Sequence, residues 1–90
     1  PLHAVISSAS SRVVTIIPGF NTHRLQLLFD LAKLCGRKVV LYGETLIQAA
    51  VAAVVTGNLN YDRKLEAGLK DLANLDGHKV LIVATGVEGN

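Results

Sequence analysis

Three runs of apolar, largely β-branched residues recur along the chain and set its framework. They are RVVTII at residues 12–17, RKVVLY at 37–42 and HKVLIVA at 78–84. After its polar start, each run is continuously apolar rather than alternating, as in strands that are covered on both faces. Because a glycine-containing turn follows each run, the sequence predicts three buried strands with defined ends.

Helical periodicity fills the interval between the first two strands. From Thr22 to Leu34, apolar residues recur at the i, i+3, i+4, i+7 spacing of one buried helix face. Asn21 or Thr22 is a suitable N-cap, and Gly36 stands where a C-terminal glycine cap belongs. The sequence therefore predicts a capped amphipathic helix here.

Further helical patterns follow the second strand and precede the first. Residues 45–56 are rich in alanine and valine on nearly every side, which predicts a largely buried helix that stops at Gly57. Residues 65–75 predict an amphipathic helix, which Gly68 weakens by roughly 1 kcal/mol relative to alanine. Residues 3–10 predict a short helix before the first strand.

The order of these elements, (α)βαβααβ, predicts an α/β fold. Its three layers, α/β/α, surround a small parallel sheet of Rossmann-like or flavodoxin-like type with right-handed crossovers. Residues 1–90 are expected to form a single α/β domain. The pattern leaves the strand order open, because the third strand fits on either side of the first. Ligands of such sheets gather at the carboxyl ends of the strands, so the loops there are the candidate sites.

Composition narrows the class of protein. Half of the residues are apolar and 18% are charged, which excludes a disordered chain, and a net charge of +2 does not indicate a nucleic-acid binder by itself. The single cysteine, Cys35, excludes an internal disulfide framework and fits a reducing compartment. No apolar run approaches the roughly 20 residues that span a bilayer, and no signal peptide is recognisable. We therefore expect a cytoplasmic location and no membrane partner.

The loop after the first strand opens directly into a helix and is rich in hydrogen-bond donors. Thr22, His23 and Arg24 stand beside the unpaired N–H groups and the partial positive charge of the helix start. This arrangement fits an anion or phosphate contact. Capping by Asn21 or Thr22, with His23 and Arg24 in solvent, is the simpler interpretation on residue types alone.

The other two strand ends give weaker indications of a ligand. Glu44 in a first helical turn complements the helix dipole, and Thr45 is a suitable cap, so capping is the simpler interpretation. After the third strand, Thr85, Gly86 and Gly89 form a turn in which glycine permits close backbone approach to a ligand. This loop lacks the lysine and hydroxyl pair of a Walker loop and has only one G-x-x-G, so a plain turn is the simpler interpretation.

No catalytic or metal-binding set is recognisable in the sequence. His3, His23 and His78 lie in three different elements, without partners at the spacing of metal ligands. The serines at positions 7, 8, 10 and 11 have no His/Asp arrangement that indicates a nucleophilic triad. We therefore expect no catalytic residue, no metal ligand and no cofactor in this chain.

The order and spacing of several short motifs are distinctive. They are the Asn-x-His-Arg-x-Gln start of the first helix, the Gly-Arg-Lys start of the second strand, Gly57-Asn58-Leu59, the segment 72–75 and the Ala-Thr-Gly-x-x-Gly end at 84–89. In these motifs the chain resembles, from about Arg12 to Asn90, the β-CASP domain of ribonuclease J. That family comprises RNA nucleases of the metallo-β-lactamase fold, with the β-CASP domain inserted into the catalytic domain. On this resemblance, residues 1–90 are a fragment or minimal version of such a domain.

The resemblance implies a domain that helps to clamp single-stranded RNA over a two-zinc hydrolytic centre. The zinc ligands of that family belong to its lactamase-type part, so this chain alone should bind RNA weakly and hydrolyse nothing, with zinc only in the parent enzyme. Its partners would be single-stranded RNA and the metallo-β-lactamase domain of the same parent chain. The positions expected to meet RNA or its phosphates are Asn21, Thr22, His23, Arg24, Thr45, Thr85, Gly86 and Gly89.

Three loops depart from the family's pattern. Pro18-Gly19-Phe20 replaces Phe-Ala-Ser before the asparagine and loses a hydroxyl group, and Glu44 replaces a basic residue after the second strand. In the last loop, Gly86-Val87-Glu88-Gly89 replaces the family's Gly-Ser-Gln-Gly. Val87 removes a phosphate donor, and Glu88 adds a charge that repels phosphate. These changes predict weakened RNA contact on an intact scaffold.

Two other functions fit the same sequence. The apolar stretch from Leu46 to Val55, together with the lost loop donors, fits a structural or self-associating α/β module, natural or designed, that has no ligand chemistry and forms a homo-oligomer. The three glycine-bearing strand ends fit a small phosphate- or nucleotide-binding domain of flavodoxin-like type.

Overall fold

The computed structural model describes residues 12–17 and 19–85, and within these ranges four strands and two α-helices are formed. The helices and strands are β1 (Val13–Ile17), α1 (Thr22–Cys35), β2 (Lys38–Tyr42), α2 (Glu44–Val55), β3 (Glu66–Ala67) and β4 (Val80–Thr85). Three short 3-10 segments lie on either side of β3 and before β4, at Arg63–Leu65, Leu69–Asn74 and Gly77–Lys79.

The four strands form one parallel sheet in the order β1-β4-β2-β3. The last strand in the chain, β4, lies between β1 and β2 and pairs with both. Its register aligns Thr85 with Ile17 of β1 and Ala84 with Tyr42 of β2. The carboxyl ends of three strands therefore lie side by side, and the strand order that the sequence left open is decided.

The main core lies between one face of the sheet and both α-helices. It combines alternate strand residues with one side of each helix, and its members include Ile17, Val39, Leu41, Leu81, Val83, Leu25, Leu28, Phe29, Ala32, Leu46, Ala50 and Ala53. Because successive strand residues point to opposite faces, α1 and α2 share the same face of the sheet.

The opposite face is covered in part by the connection from β3 to β4. This connection passes back over β2, and the right-handed rule for parallel crossovers places it on the face away from α1 and α2. Val40 and Val80 are fully buried on that face. The predicted three-layer α/β fold with a small parallel sheet is confirmed, although the second outer layer consists of 3-10 segments rather than an α-helix.

The two α-helices begin in different ways. The Asn21 side chain accepts a hydrogen bond from the Arg24 amide at 3.0 Å, and Gly36 ends α1 in the left-handed region at φ 69°, so both predicted caps are confirmed. At the start of α2 the prediction is wrong, because Thr45 lies inside the helix and Gly43 is the N-cap, without a side-chain hydrogen bond. Gly43 has φ 108°, a conformation that favours glycine and lets the chain turn from β2 directly into α2.

The prediction that α2 is largely buried is also wrong. Only Leu46, Ala50 and Ala53 are buried, whereas Val51, Val54 and Val55 are exposed along one side. The physical reason is that only one side of α2 packs against the sheet and its near neighbours. The apolar side chains on its other sides therefore stay exposed. Within residues 12–17 and 19–85, neither of the two α-helices, α1 and α2, is long and apolar enough to cross a bilayer.

Residues 65–75 do not form the predicted amphipathic helix. Glu66 and Ala67 pair with Val39 and Val40 of β2 as a short edge strand, and Gly68 continues the extended backbone at φ −88° and ψ 163°. A new 3-10 segment then begins, where the Asp71 carboxylate accepts a hydrogen bond from the Gly68 amide. Pairing with β2 therefore overrides the helical pattern, and the helix predicted at residues 3–10 lies outside the described residues.

Arg37 links the start of β2 to the start of the central strand. It is only 2% exposed, and its Nη1 donates hydrogen bonds to the carbonyl oxygens of Val80 at 2.8 Å and Gly77 at 3.2 Å. A buried guanidinium is tolerated when its donors are satisfied in this way. Arg37 thus holds the entry of β4 against the entry of β2.

We predict that Arg37→Met lowers the free energy of unfolding by about 2–3 kcal/mol, because two inward-facing carbonyl groups lose a charged donor. Chemical denaturation followed by circular dichroism measures this change. The control is Lys33→Met on the exposed side of α1, which should change stability by less than about 0.5 kcal/mol. Equal stabilities of the two variants would contradict the role given to Arg37.

Gln26 joins α1 to the loop that follows α2. Its Nε2 donates to the Asn60 carbonyl oxygen at 2.7 Å, and its Oε1 accepts from the Asn60 amide at 2.8 Å, so one side chain satisfies both backbone groups. The next residue, Tyr61, stacks on Phe29 with ring centroids 3.8 Å apart and donates to Glu66 Oε1 at 2.6 Å. Burial, reinforced by this hydrogen bond to Glu66, raises the pKa of the Tyr61 hydroxyl well above its usual range, so it stays protonated as the donor.

We predict that Gln26→Ala lowers the free energy of unfolding by about 1 kcal/mol and accelerates hydrogen exchange at the Asn60 amide, because both hydrogen bonds are lost. Native-state exchange measured by NMR reports the second effect directly. In the control, Gln48→Ala, the lost hydrogen bond joins Gln48 to Glu44 within α2, so the Asn60 amide should exchange at its original rate. Unchanged exchange at Asn60 in Gln26→Ala would contradict the prediction.

Candidate nucleic-acid interface

One edge of the sheet collects most of the positions that the sequence singles out. This strand-end rim consists of residues 21–24 after β1, residues 43–45 after β2, and Thr85, the last residue of β4. The register of β4 brings the ends of these three strands together. Gly86 and Gly89, the remaining predicted site residues, lie outside the described residues.

The start of α1 presents the densest group of hydrogen-bond donors on the rim. Asn21 Oδ1 is occupied by the Arg24 amide, and the Leu25 amide bonds to the Asn21 carbonyl oxygen at 3.0 Å. The amide groups of Thr22 and His23 have no acceptor within the helix, because the first N–H groups of any helix lack one. Within the described residues, the side chains of His23 and Arg24 are exposed and make no hydrogen bond or ion pair. The capping interpretation is thus correct for Asn21, and donors are still left over for a ligand.

A cavity of about 260 Å³ opens beside this helix start, against the outer edge of β1. Its lining combines β-strand and helix residues: Thr15, Ile16, Ile17, Asn21, His23, Arg24, Leu27 and Leu28. None of these eight residues is acidic. The cavity therefore has an apolar floor and a basic and polar rim, which suits a ligand that is partly apolar and partly anionic.

The second loop contributes a negative charge to the same edge. Glu44 is exposed at the first position of α2, and its carboxylate accepts a hydrogen bond from Gln48 Nε2 at 2.7 Å. Thr45 is exposed next to it, and its side chain makes no hydrogen bond within the described residues. Thr85 is half-buried as the last residue of β4, where it pairs with Ile17. The basic and the acidic part of the rim thus lie on different helices.

The described residues do not fit a metal centre. Among them, no three histidine, cysteine, aspartate or glutamate side chains come together as a ligand set. A two-zinc site needs several such donors around each ion. The described part of the chain therefore offers no set of ligands for zinc.

Sequence reasoning missed the apolar side of the cavity. Ile16 belongs to a run that predicts a strand covered on both faces, and Leu27 lies between the buried positions of α1. Both side chains are exposed: Ile16 lies on the face of β1 away from α1, which the connection from β3 to β4 covers only in part, and Leu27 lies on α1 beside the edge strand β1. Only the strand order reveals this, since the sequence of an edge strand with β-branched residues does not differ from that of a central one.

Comparison with known proteins agrees with the fold and with the motifs of the loops. The family described as "Ribonuclease J, beta-CASP domain" matches residues 10–90 of the chain. Ribonuclease J of Thermus thermophilus is 33% identical over 88 residues, which cover 98% of this chain and 15% of that protein. Ribonuclease J 2 of Streptococcus pyogenes is 31% identical over 91 residues, covering 98% of this chain and 16% of that protein.

A third relative, ribonuclease J of Corynebacterium glutamicum, is 28% identical over 88 residues, covering 98% of this chain and 12% of that protein. The chain thus spans between 12% and 16% of the length of these three relatives. The family match extends over nearly the whole chain, including all the motifs on which the sequence resemblance was based. The chain therefore belongs to the ribonuclease J β-CASP family.

Proposed function

We propose that this chain is the RNA-contacting β-CASP part of a zinc-dependent ribonuclease that acts in the cytoplasm. Its main support within the structure is the group of unpaired donors at the start of α1, beside a cavity whose described lining residues include no acidic one. Single-stranded RNA offers both chemical characters that this surface complements, an anionic backbone and bases with apolar faces.

Arg24 and His23 are the proposed phosphate contacts, with the amides of Thr22 and His23 as further donors. An exposed guanidinium binds phosphate in a planar, bidentate manner, and a helix start adds a partial positive charge. Asn21 positions this start by capping it, and Thr45, Thr85, Gly86 and Gly89 are proposed to contact the RNA farther along the strand-end rim. Glu44 repels phosphate on the same edge, so we expect the affinity to be low.

Hydrolysis is not proposed for this chain alone. The described residues hold no set of metal ligands, and the family resemblance assigns the two zinc ions to the metallo-β-lactamase part of the parent enzyme. The chain would bring RNA to that part and hold it there. The metallo-β-lactamase domain of the same parent chain is accordingly a proposed partner.

We predict that the chain binds a short, unstructured oligoribonucleotide weakly and with strong salt dependence, and that Arg24→Gln weakens binding at every RNA sequence tested. The plot of log association constant against log salt should become less steep by about 0.7, the contribution of one phosphate contact on a single strand. Fluorescence anisotropy at several salt concentrations measures both quantities.

The matched control is Lys33→Gln, which removes one exposed positive charge from the same helix but away from the strand-end rim. Its affinity and salt slope should remain close to those of the unchanged chain. If neither variant differs from the unchanged chain, or if RNA does not bind even at low salt, the proposed contact is wrong.

A second proposal concerns self-association through α2. Val51, Val54 and Val55 form an exposed apolar stripe at i, i+3, i+4 spacing, next to a cavity that Tyr61 also lines. A second copy of the same stripe would bury these side chains in a symmetric dimer. Sedimentation velocity at high concentration should then show a dimer that Val55→Lys dissociates, whereas Leu34→Lys on α1 does not. A strict monomer would exclude this proposal.

A further inference from the structure

The cavity beside β1 exposes apolar surface that the core does not use. Ile16 is 66% exposed and Leu27 is 52% exposed, and both line the cavity. Because Ile17 faces the core, the Ile16 side chain points to the other face of β1, so the apolar lining on the side of α1 comes from Leu27 and Leu28. A half-exposed leucine at a concave site, rather than on a convex surface, is typical of a binding site.

Charge complementarity restricts the ligand to one that carries a negative charge. His23 and Arg24 line the cavity, and among the described residues no aspartate or glutamate does so. A purely apolar occupant would leave the guanidinium of Arg24 without a partner. An inorganic anion alone would leave the apolar lining of Leu27 and Leu28 uncovered.

Size restricts the ligand further. The cavity has a volume of about 260 Å³, which lies just below the range of roughly 300–1,000 Å³ found for sites that enclose drug-sized molecules. One flat heteroaromatic ring fits this space, with its attached sugar and phosphate outside. An aliphatic floor covers one face of such a ring, and an arginine side chain can stack on the other.

We propose that the cavity is a slot for a single unstacked nucleobase of the bound RNA, with the adjoining phosphate at Arg24; this inference rests on the proposed function. The side-chain amide of Asn21, held in place by its bond to the Arg24 amide, is available to donate to the edge of the base. The slot excludes duplex RNA, in which bases are paired and stacked within the helix. In this proposal, the residues that line the slot cause the preference of the chain for single-stranded RNA.

Leu27→Ser tests the slot without removing a charge. We expect it to weaken binding of a short oligoribonucleotide about fivefold or more, as for the loss of contact with one base, while the salt slope stays unchanged. Leu34→Ser is the matched control, because Leu34 lies on the same helix, is 74% exposed and does not line the cavity. Both side chains are exposed, so both variants should fold normally.

The RNA itself provides a second comparison. An oligonucleotide with abasic sites should bind the unchanged chain more weakly than its intact counterpart, and Leu27→Ser should abolish that difference. If Leu27→Ser and Leu34→Ser bind intact RNA equally well, the slot is wrong while RNA binding by the chain stands.

A mononucleotide separates failure of the slot from failure of the proposed function. In NMR titrations, adenosine 5′-monophosphate should shift the methyl signals of Leu27 and Leu28, whereas ribose 5-phosphate should not. These shifts without RNA binding would support a nucleotide slot and overturn the proposed function. Equal shifts with both compounds would indicate phosphate contact alone, and the absence of shifts together with the absence of RNA binding would overturn both proposals.

Discussion

The insertion of β4 between β1 and β2 is the constraint on which the rest of the structure depends. This strand is the last of the four in the chain, yet it supplies the hydrogen-bond partners for the inner edges of both neighbours. Arg37 fixes its entry by donating to the carbonyl oxygens of Gly77 and Val80. Until β4 is in place, β1 and β2 are not joined in one sheet. Folding must therefore pair β1 with β4, the described strand farthest from it in sequence, before the core is complete.

The same insertion makes the strand-end rim. Because β4 pairs in register with both neighbours, three carboxyl ends stop at one level, and α1 and α2 begin there with their partial positive charges directed to the same edge. It also leaves β1 at the edge of the sheet. Within the described residues no further strand pairs with the outer side of β1, and the cavity lies beside it, between β1 and the first turns of α1. Scaffold and site are thus consequences of one strand order.

Two short polar connections support this arrangement. Asn21 fixes the first turn of α1 through the Arg24 amide, and Gln26, one turn later, fixes the loop at Asn60 with a pair of hydrogen bonds. Both belong to the Asn-x-His-Arg-x-Gln motif, so this motif has a structural role at its ends. The side chains of His23 and Arg24 at its centre make no hydrogen bond or ion pair within the described residues. That division supports a ligand role for the middle of the motif and a positioning role for its ends.

The sequence alone determined the class of fold, the three main strands, the helix from Thr22 with its caps at Asn21 and Gly36, and the family. These features depend on local periodicity, capping and short motifs, which neighbouring residues express without tertiary contacts. Tertiary structure decided the strand order, the conversion of residues 65–75 into a short strand with 3-10 segments, and the exposure of Val51, Val54 and Val55 on α2. It also decided the cavity, because this lies beside β1, an outer strand of the described sheet. The physical reason is common to all four: pairing and burial depend on which elements become neighbours, and a pattern along one chain does not specify its neighbours in space.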